Sequence, residues 1–415
     1  MTSAEDPAHR TVESVARASY GKLVAFLSSR TRDVASAEDA LSDALIAALT
    51  AWPHTGIPRN PQGWLIATAR NRLIDRARHD QVHAQSIPTL ELIAQDADPV
   101  EDERVFPDER LKLLFVCAHP AIDADMHTPL MLQTVLGLDA AEIGRAFLVS
   151  PQAMSQRLVR AKTKIRRTAI AFEVPEAQHL PERMDAVMNA IYAAYGSGWE
   201  DAGGVDARAN GLTEEAIWLA RLLCDRMHDE PEVKGLLALM LHCEARRTAR
   251  RDADGRFIPL SEQDPGRWNL AMIDEAERIL SKAAEQRREP GRFQLEAAIQ
   301  SVHAERARSG ITQWPAIALF YDRLVELSPT LGARVACAAA RAEVEGAATG
   351  LSLLDAIDHD AVAAYQPYWA VRAHLLQQLR HDDAAAAAFD RAIGLSEDPA
   401  VRRFLIERRN GPPAR

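Results

Sequence analysis

The sequence has few of the residues that build stapled, zinc-bound or membrane-spanning proteins. Its 415 residues include only four cysteines, Cys117, Cys224, Cys243 and Cys337, and no two of them form a C-x-x-C pair. Reduced thiols are therefore expected rather than a disulfide framework. No apolar run approaches the roughly 18–20 residues of a membrane span, and the polar, acidic segment 1–14 does not fit a signal peptide. The sequence predicts a cytoplasmic protein without membrane contact.

Catalytic and metal-binding motifs are also missing from the sequence. It contains no G-x-G-x-x-G, no P-loop and no H-E-x-x-H. The acidic "DADG" at 252–255 is too short for a calcium loop, which needs further ligands at fixed offsets. Cys117 and His119 form a C-x-H fragment without a second ligand pair. We therefore expect neither an enzyme nor a cofactor or metal site.

The residues that are abundant favour helices. Ala, Leu, Arg and Glu dominate and β-branched runs are absent, which predicts an all-α fold. Amphipathic patterns place helices at 10–30, 33–50, 62–79, 110–118, 126–137, 140–148, 151–170, 182–195 and 213–245. A loop is predicted at 51–61, and a hairpin or ordered loop with a D-G turn is predicted at 246–268.

The C-terminal part shows a faint repeat. Trp369, Ala373, Ala385, Phe389 and Ala392 fall at the spacing of one tetratricopeptide unit, and Tyr321 and Pro329 match its later part. Two imperfect units predict stacked helical hairpins and not a regular solenoid.

The net charge of −10 is unevenly distributed. Residues 1–170 hold 20 Lys and Arg against 21 Asp and Glu, whereas the remainder holds 29 against 38. In the first part the basic residues gather at 59–78 and 157–167, with the acids between them. Local basic patches suffice for nucleic-acid binding, because surface potential acts over about one Debye length.

One basic patch lies in a predicted helix-turn-helix. In a helix over 151–167, Met154, Leu158, Ala161 and Ile165 form the buried face. The opposite face carries Gln152, Gln156, Arg160, Thr163 and Arg167. Gln and Arg are side chains that read adenine and guanine in the major groove. The alternative is a solvated basic helix in a bundle, but six basic residues without an acid favour DNA.

The second basic patch is the segment "PRNPQGWLIATARNRLIDRARH", residues 58–79. Its periodicity turns Leu65, Ile66, Ala69, Leu73 and Ala77 inward. Trp64, Asn71, Asp75 and Arg78 then face outward among further arginines. An outward Trp beside Arg can stack unpaired bases. The alternative, that Trp64 packs under a loop, stays open because Trp is usually buried.

These segments resemble a known family. "NPQGWLIATARNRLIDRAR", preceded by "ASAEDALSDALIAAL", resembles region 2 of extracytoplasmic-function sigma factors. "LDAAEIGRAFLVSPQAMSQRLVRAKTKIR" resembles their region 4, and the remaining chain resembles the long tetratricopeptide-like extension of one group of them. Where that group tends to have an Asn-Glu-Gly-Tyr-like sequence, this chain has Gly196-Ser197-Gly198-Trp199. A function specific to that spot is not carried over.

The resemblance implies core RNA polymerase and promoter DNA as partners. Region 4 would read the −35 element, and its binding residues would be Gln152, Gln156, Arg157, Arg160, Lys164 and Arg167. Region 2 would hold the −10 element as a single strand through Arg59, Asn60, Trp64, Arg70, Asn71 and Arg78. The polymerase-binding residues would be Glu38, Asp39 and Asp43, although an ordinary solvated acidic face would look the same. The helical periodicity places Arg157 on the flank of the exposed face, so a base-reading role for Arg157 depends on the resemblance alone.

The predicted organisation is therefore region 2 at 1–80, an acidic linker at 81–109, region 4 at 110–174 and a C-terminal helical regulatory domain at 175–415. The linker would thread the polymerase channel later used by RNA, or serve only as a tether. We expect an unidentified regulatory protein or ligand at the C-terminal domain. Two alternatives remain: a helix-turn-helix regulator with a helical sensor domain and no polymerase contact, and a scaffold whose basic helices bind nothing specific.

Overall fold

The computed structural model describes residues 7–80, 108–200 and 207–411. These residues form α-helices, short 3-10 turns and one isolated antiparallel bridge between Arg251 and Phe257. The all-α prediction is therefore confirmed. Within the described ranges, no helix is both long enough and apolar enough to cross a membrane. The acidic linker, apart from its last two residues, lies outside the described residues.

The chain divides into two compact units. The first comprises residues 1–201 and 206–222, and the second comprises 202–205 and 223–415. The helices that begin in the first unit are α1 Pro7–Thr31, α2 Val34–Thr55, α3 Pro61–Asp80, α4 Arg110–Cys117, α5 His127–Thr134, α6 Ala140–Ala146, α7 Pro151–Arg167, α8 Leu180–Glu200 and α9 Ala207–Arg226. Helices α1, α2 and α3 pack on one another, α6 packs on α7, and α1 also contacts α4 and α5.

Helix α2 is longer than its sequence predicts. A predicted loop begins at residue 51, but the helix continues through Pro53 to Thr55. A proline lacks only its own N–H, so one in the last turn removes few helical bonds. Buried Trp52 anchors this turn, and its carbonyl accepts from the N–H of Gly56 at 3.0 Å. Gly56 then ends the helix with a φ of 84°, a conformation that favours glycine.

The first compact unit extends beyond the predicted domain boundary at 174/175. Helix α8 follows that boundary, yet it contacts α4 and α5 within the first unit. Its residues Val187, Met188 and Ile191 are buried. This apolar face needs a covering partner, and α4 and α5 provide it. The structural division therefore lies later than the Pro-containing segment near Pro175 suggests.

The second unit is an array of stacked helices. They are α10 Pro231–Glu244, α11 Leu270–Ala284, α12 Arg292–Ala304, α13 Trp314–Leu327, α14 Leu331–Glu345, α15 Ala347–Asp355, α16 Gln366–Gln378, α17 Asp382–Leu395 and α18 Pro399–Asn410. Each of these helices contacts the next or next-but-one in the chain. The helix predicted over 213–245 is split before Pro231, which suits the first position of a new helix.

Five of the predicted repeat residues lie in one helical hairpin, whereas Tyr321 lies in α13 and Pro329 follows that helix. Ala373 on α16 and Ala385, Phe389 and Ala392 on α17 are buried in one cluster, and Trp369 packs against it. The predicted loop 246–268 is ordered by three 3-10 turns and a tight D-G turn in which Gly255 has a φ of 75°. The fold thus shows paired helices at this place without showing a regular repeat array.

Candidate nucleic-acid interface

A tight turn joins α6 to α7 and fixes the angle between them. Asp139 and Glu142 form a capping box at the start of α6. Gly144 packs so closely on the turn that a Cβ there would lie 2.6 Å from the backbone oxygen of Val149. The Ser150 hydroxyl then accepts from the N–H of Ala153 at 3.3 Å and caps α7. The sequence therefore builds the helix-turn-helix locally.

Helix α7 divides into a buried and an exposed face as its periodicity predicts. Met154, Leu158, Ala161 and Ile165 are buried. The candidate DNA-binding residues are all exposed: Gln152, Gln156, Arg157, Arg160, Lys164 and Arg167. Lys164 has a weak exposed contact, 3.5 Å from Asp123. The exposed face therefore offers amide and guanidinium groups beside phosphate-binding cations.

Two basic residues of α7, nearly buried Lys162 and exposed Arg166, contact carboxylates at α2. The Lys162 ammonium lies 2.5 Å from a carboxylate oxygen of Glu38, and both side chains are nearly buried. The Arg166 guanidinium lies 3.5 Å from Asp33. Burial raises the pKa of Glu38, against the opposing effect of the Lys162 charge. These contacts hold the helix-turn-helix against the N-terminal helices.

Backbone packing between α1 and the end of α5 reinforces the contact between α2 and α7. We call the two contacts together the α1–α5 and α2–α7 docking. At Gly21 of α1, a Cβ would lie 1.7 Å from the backbone oxygen of Val135, just after α5. At Gly137, which has a φ of 69°, a Cβ would lie 3.2 Å from the ring of Tyr20. Burial raises the pKa of Tyr20, and the nearby carboxylates of Glu38 and Asp39 act in the same direction. The two glycines permit a close approach that any larger residue would prevent.

The candidate single-strand-binding residues on and before α3 differ in exposure, unlike the candidate residues of α7. Leu65, Ile66, Ala69 and Leu73 are buried as predicted. Of the candidate residues, Arg59, Asn71 and Arg78 are exposed, whereas Asn60, Trp64 and Arg70 are half-buried.

Two of those half-buried residues have structural partners. The Asn60 side chain accepts from the N–H of Gly63 at 2.9 Å and so caps α3. The Trp64 ring meets buried Trp52 edge-on, with centroids 5.5 Å apart. Trp64 is therefore a packing residue over part of its surface, and the remainder is accessible. The packing alternative holds for the part that meets Trp52, and base stacking on the accessible part stays a prediction.

The three candidate polymerase-binding acids also differ. Glu38 is nearly buried against Lys162, Asp39 is exposed, and Asp43 is half-buried with an accessible carboxylate. Arg76 of α3 lies 3.1 Å from Asp39 and 3.6 Å from Asp43. Exposed surface pairs of this kind contribute little to stability, so they remain available to a partner.

A shallow groove runs beside Asp43. Its volume is about 590 Å³, and it is lined by Asp43, Ile46, Ala47, Thr50, Ala51 and Arg72. Ile46 is 63% exposed, unusual for an isoleucine within a helix. Acidic and apolar groups therefore meet on one accessible face of α2.

One buried charged cluster of the first unit was not predicted. The Arg110 guanidinium contacts both oxygens of Asp108, pairs with Glu215 and lies 3.9 Å above the ring of Trp218. It joins the start of α4 to α9. The "PDER" segment gives no periodic signal, and Glu215 is distant in sequence. In the described ranges, no group of three or more His, Cys, Asp or Glu side chains could hold a metal ion.

Comparisons with known proteins give family matches for two parts of the chain. The model of sigma-70 region 2 matches residues 15–82, and a family of unknown function matches residues 183–284. The uncharacterized protein R00370 of Rhizobium meliloti (strain 1021) is 38% identical over 381 residues, which cover 90% of this chain and 89% of that protein. No solved structure matches the chain.

Proposed function

Because the chain belongs to the family of the Rhizobium meliloti protein R00370 and carries a sigma-70 region 2 domain at its N-terminus, we propose that it is a sigma factor of the extracytoplasmic-function group. It binds core RNA polymerase in the cytoplasm and directs initiation at a specific class of promoter. Its C-terminal helical unit, which carries tetratricopeptide-like hairpins, modulates that activity.

One observation carries the proposal: the outer face of α2 within region 2. The carboxylates of Asp39 and Asp43 are accessible there beside the groove that Ile46 lines. Interfaces combine an apolar centre with a polar rim, and this face offers both. The face therefore supports contact with core polymerase.

The exposed face of α7 supports recognition of duplex DNA. Gln156 and Arg160 present an amide and a guanidinium, which can form bidentate bonds with adenine and guanine. Arg157 is equally exposed, so the flank position inferred from the helical wheel does not prevent a contact. Lys164 and Arg167 lie nearer the end of the helix and suit phosphates.

The α3 surface supports a contact with single-stranded DNA. Arg59, Asn71 and Arg78 are exposed, and part of the Trp64 ring is accessible. Because Asn60 already caps α3, its amide is the least available of the six candidates. Arg70 also has another interaction, so it contributes less freely than Arg78.

The docking of α7 on α2 gives the proposed sigma factor a closed form. In that form Glu38 is covered, and Lys162 and Arg166 are held by carboxylates. Asp39 and Asp43 remain open for a first contact. Full engagement of α2 by polymerase requires α7 to move away from Glu38, so the free energy of docking lowers the apparent affinity for polymerase.

The test is retention by immobilised core polymerase. The full chain should be retained, and Asp43→Arg combined with Ile46→Asp should weaken retention at least tenfold, since both changes disrupt the proposed centre. Asp125→Arg is the matched control, because Asp125 is an exposed acid elsewhere on the first unit. It should bind as the unmodified chain does.

The outcomes separate the alternatives. Binding to promoter DNA without binding to polymerase would indicate a helix-turn-helix regulator. Binding to neither would indicate a scaffold. Equal retention of the double variant and the control would mean that α2 is not the polymerase surface.

A further inference from the structure

A buried arginine in the second unit has no acidic partner. Arg246 follows α10 and is only 6% exposed. One of its terminal nitrogens, Nη2, donates to the amide oxygen of Gln300 and lies 3.8 Å from the sulfur of Cys243. The other, Nη1, is buried without a hydrogen-bond partner. Among the described residues, no carboxylate lies within 4 Å of this guanidinium.

Such an arrangement is costly in a folded protein. A guanidinium stays protonated at any ordinary pH, so Arg246 cannot become neutral as a lysine could. Burying an unpaired charge costs several kcal/mol unless hydrogen bonds and a counter-charge offset it. The neutral amide of Gln300 supplies one bond and no charge.

A second arginine, Arg306, lies in the same region, whereas the nearby acids Glu277 and Glu296 bond to other side chains. Arg306 donates to the backbone oxygens of Leu260, Ser261 and Gln263, and it also has no carboxylate within 4 Å among the described residues. Burial, then Arg246 and then Arg306, lower the pKa of His303 to about 4. The two arginines therefore share one positively charged region.

His242 completes the cluster. It is 1% exposed, and neither ring nitrogen has a hydrogen-bond partner. Burial, and then the charge of Arg246, lower its pKa to about 3. The nearest acid, Glu277, lies 3.5 Å from its Nε2 and already accepts from Ser301 at 2.7 Å. A neutral His242 thus has an N–H that is free to donate.

The cluster is not sealed from solvent. Cys243, Gln300 and His303 surround the guanidinium and are each only half-buried. The Nη1 atom of Arg246 is itself buried, so a small solute reaches it only when one of these half-buried side chains moves aside. Buried donors beside an accessible edge are the arrangement of a specific polar site.

We propose that the cluster of Arg246, His242, Gln300, His303 and Arg306 binds the oxyanion group of a small molecule, a carboxylate or a phosphate. The free Nη1 of Arg246 and a ring N–H of His242 or His303 donate to its oxygens, and Arg306 adds long-range attraction. The site goes beyond the proposed function and does not depend on it, because binding can be measured on the free chain.

The experiment titrates the full chain with inorganic phosphate and, separately, with acetate, by calorimetry and by thermal unfolding. Chloride at equal ionic strength is the reference. One or both anions should bind and raise the melting temperature in a saturable manner. Arg246→Met should weaken that binding at least tenfold. Arg278→Met, which removes an exposed arginine of α11, should change nothing.

Stability without anions distinguishes a binding role from a packing role. A buried charge that lacks its ligand is a burden, so Arg246→Met should melt at or above the temperature of the unmodified chain in chloride alone. If Arg246→Met does not fold, Arg246→Lys keeps the charge and should bind the anion more weakly. The proposal is wrong if neither anion shifts the unmodified chain beyond chloride. It is also wrong if Arg246→Met and Arg278→Met respond to the anions alike.

Discussion

Replacement of Gly21 by alanine tests the docking of the two halves of the first unit. The new Cβ would lie 1.7 Å from the oxygen and 2.7 Å from the carbon of the Val135 carbonyl. Both atoms belong to the backbone, so no side-chain rotation can relieve the overlap. An ordinary contact of about 3.5–4.0 Å requires α1 and the end of α5 to separate by about 2 Å.

The expected magnitude follows from two opposing effects. Alanine in a helix is favoured over glycine by about 1 kcal/mol, whereas overpacking costs about 1–3 kcal/mol. Gly196→Ala is the matched control, because Gly196 lies in α8 of the same unit and a Cβ there meets nothing within 4 Å. The control should therefore gain about 1 kcal/mol. Because this gain applies to both variants, they should differ by the overpacking cost alone, about 1–3 kcal/mol in free energy of unfolding.

Denaturant unfolding combined with hydrogen exchange measures this difference. Gly21→Ala should lower the unfolding midpoint and reduce amide protection in α1 and at 127–138, since opening exposes those backbone groups. Gly196→Ala should raise the midpoint and leave protection in both segments unchanged. If Gly21→Ala is stabilised as much as the control, with protection intact, the close approach at Val135 does not exist.

Further changes probe the DNA surfaces and the buried charges. Arg160→Ala should weaken binding at one −35 position by about 1–3 kcal/mol, whereas Lys164→Ala should weaken binding to all promoters uniformly and reduce its salt dependence. Identical profiles of the two variants on a panel of promoter variants would refute the assignment of Arg160 to the base-reading face of α7. Trp64→Ala should impair permanganate-detected melting on an intact promoter more than on a pre-melted one, and an equal defect would indicate that only its packing on Trp52 matters. Burial raises the pKa of Glu38 above its ordinary value of 4.5. The protonated carboxyl group therefore stabilises the folded chain when the pH is below 4.5, and this stabilisation is lost as the pH rises through the raised pKa. Glu38→Gln should therefore flatten the pH dependence of the unfolding midpoint above that ordinary value, and an unchanged profile would show that Glu38 is not buried.

Local patterns predicted the helix faces well. The inward residues Leu65 and Leu73 of α3 and Leu158 and Ile165 of α7 follow a 3.6-residue period, which the sequence displays directly. The N-cap of α7 could also be predicted from the sequence, because Ser150 precedes a proline. These features depend only on residues within a few turns of one another.

Long-range features could not be predicted in this way. Lys162 and Arg160 lie on the same basic helix. Lys162 pairs with Glu38, 124 residues away, whereas Arg160 stays exposed, and nothing in the local sequence distinguishes them. The end of α2 was predicted too early because Pro53 indicates a loop, although a proline is tolerated in the last turn of a helix. The packing of α8 on α4 and α5 could not be predicted, because it depends on those helices and not on the sequence of α8 alone.

Run-off transcription tests the central claim most directly. Core polymerase would be incubated with the full chain and with a library of genomic promoter fragments, and the transcripts would be sequenced. The proposed function predicts new transcripts from defined start sites that share one −35 and −10 pattern, and these should be lost with Asp43→Arg combined with Ile46→Asp but retained with Asp125→Arg. If the full chain adds no start site to those of core polymerase alone, the chain is not a sigma factor.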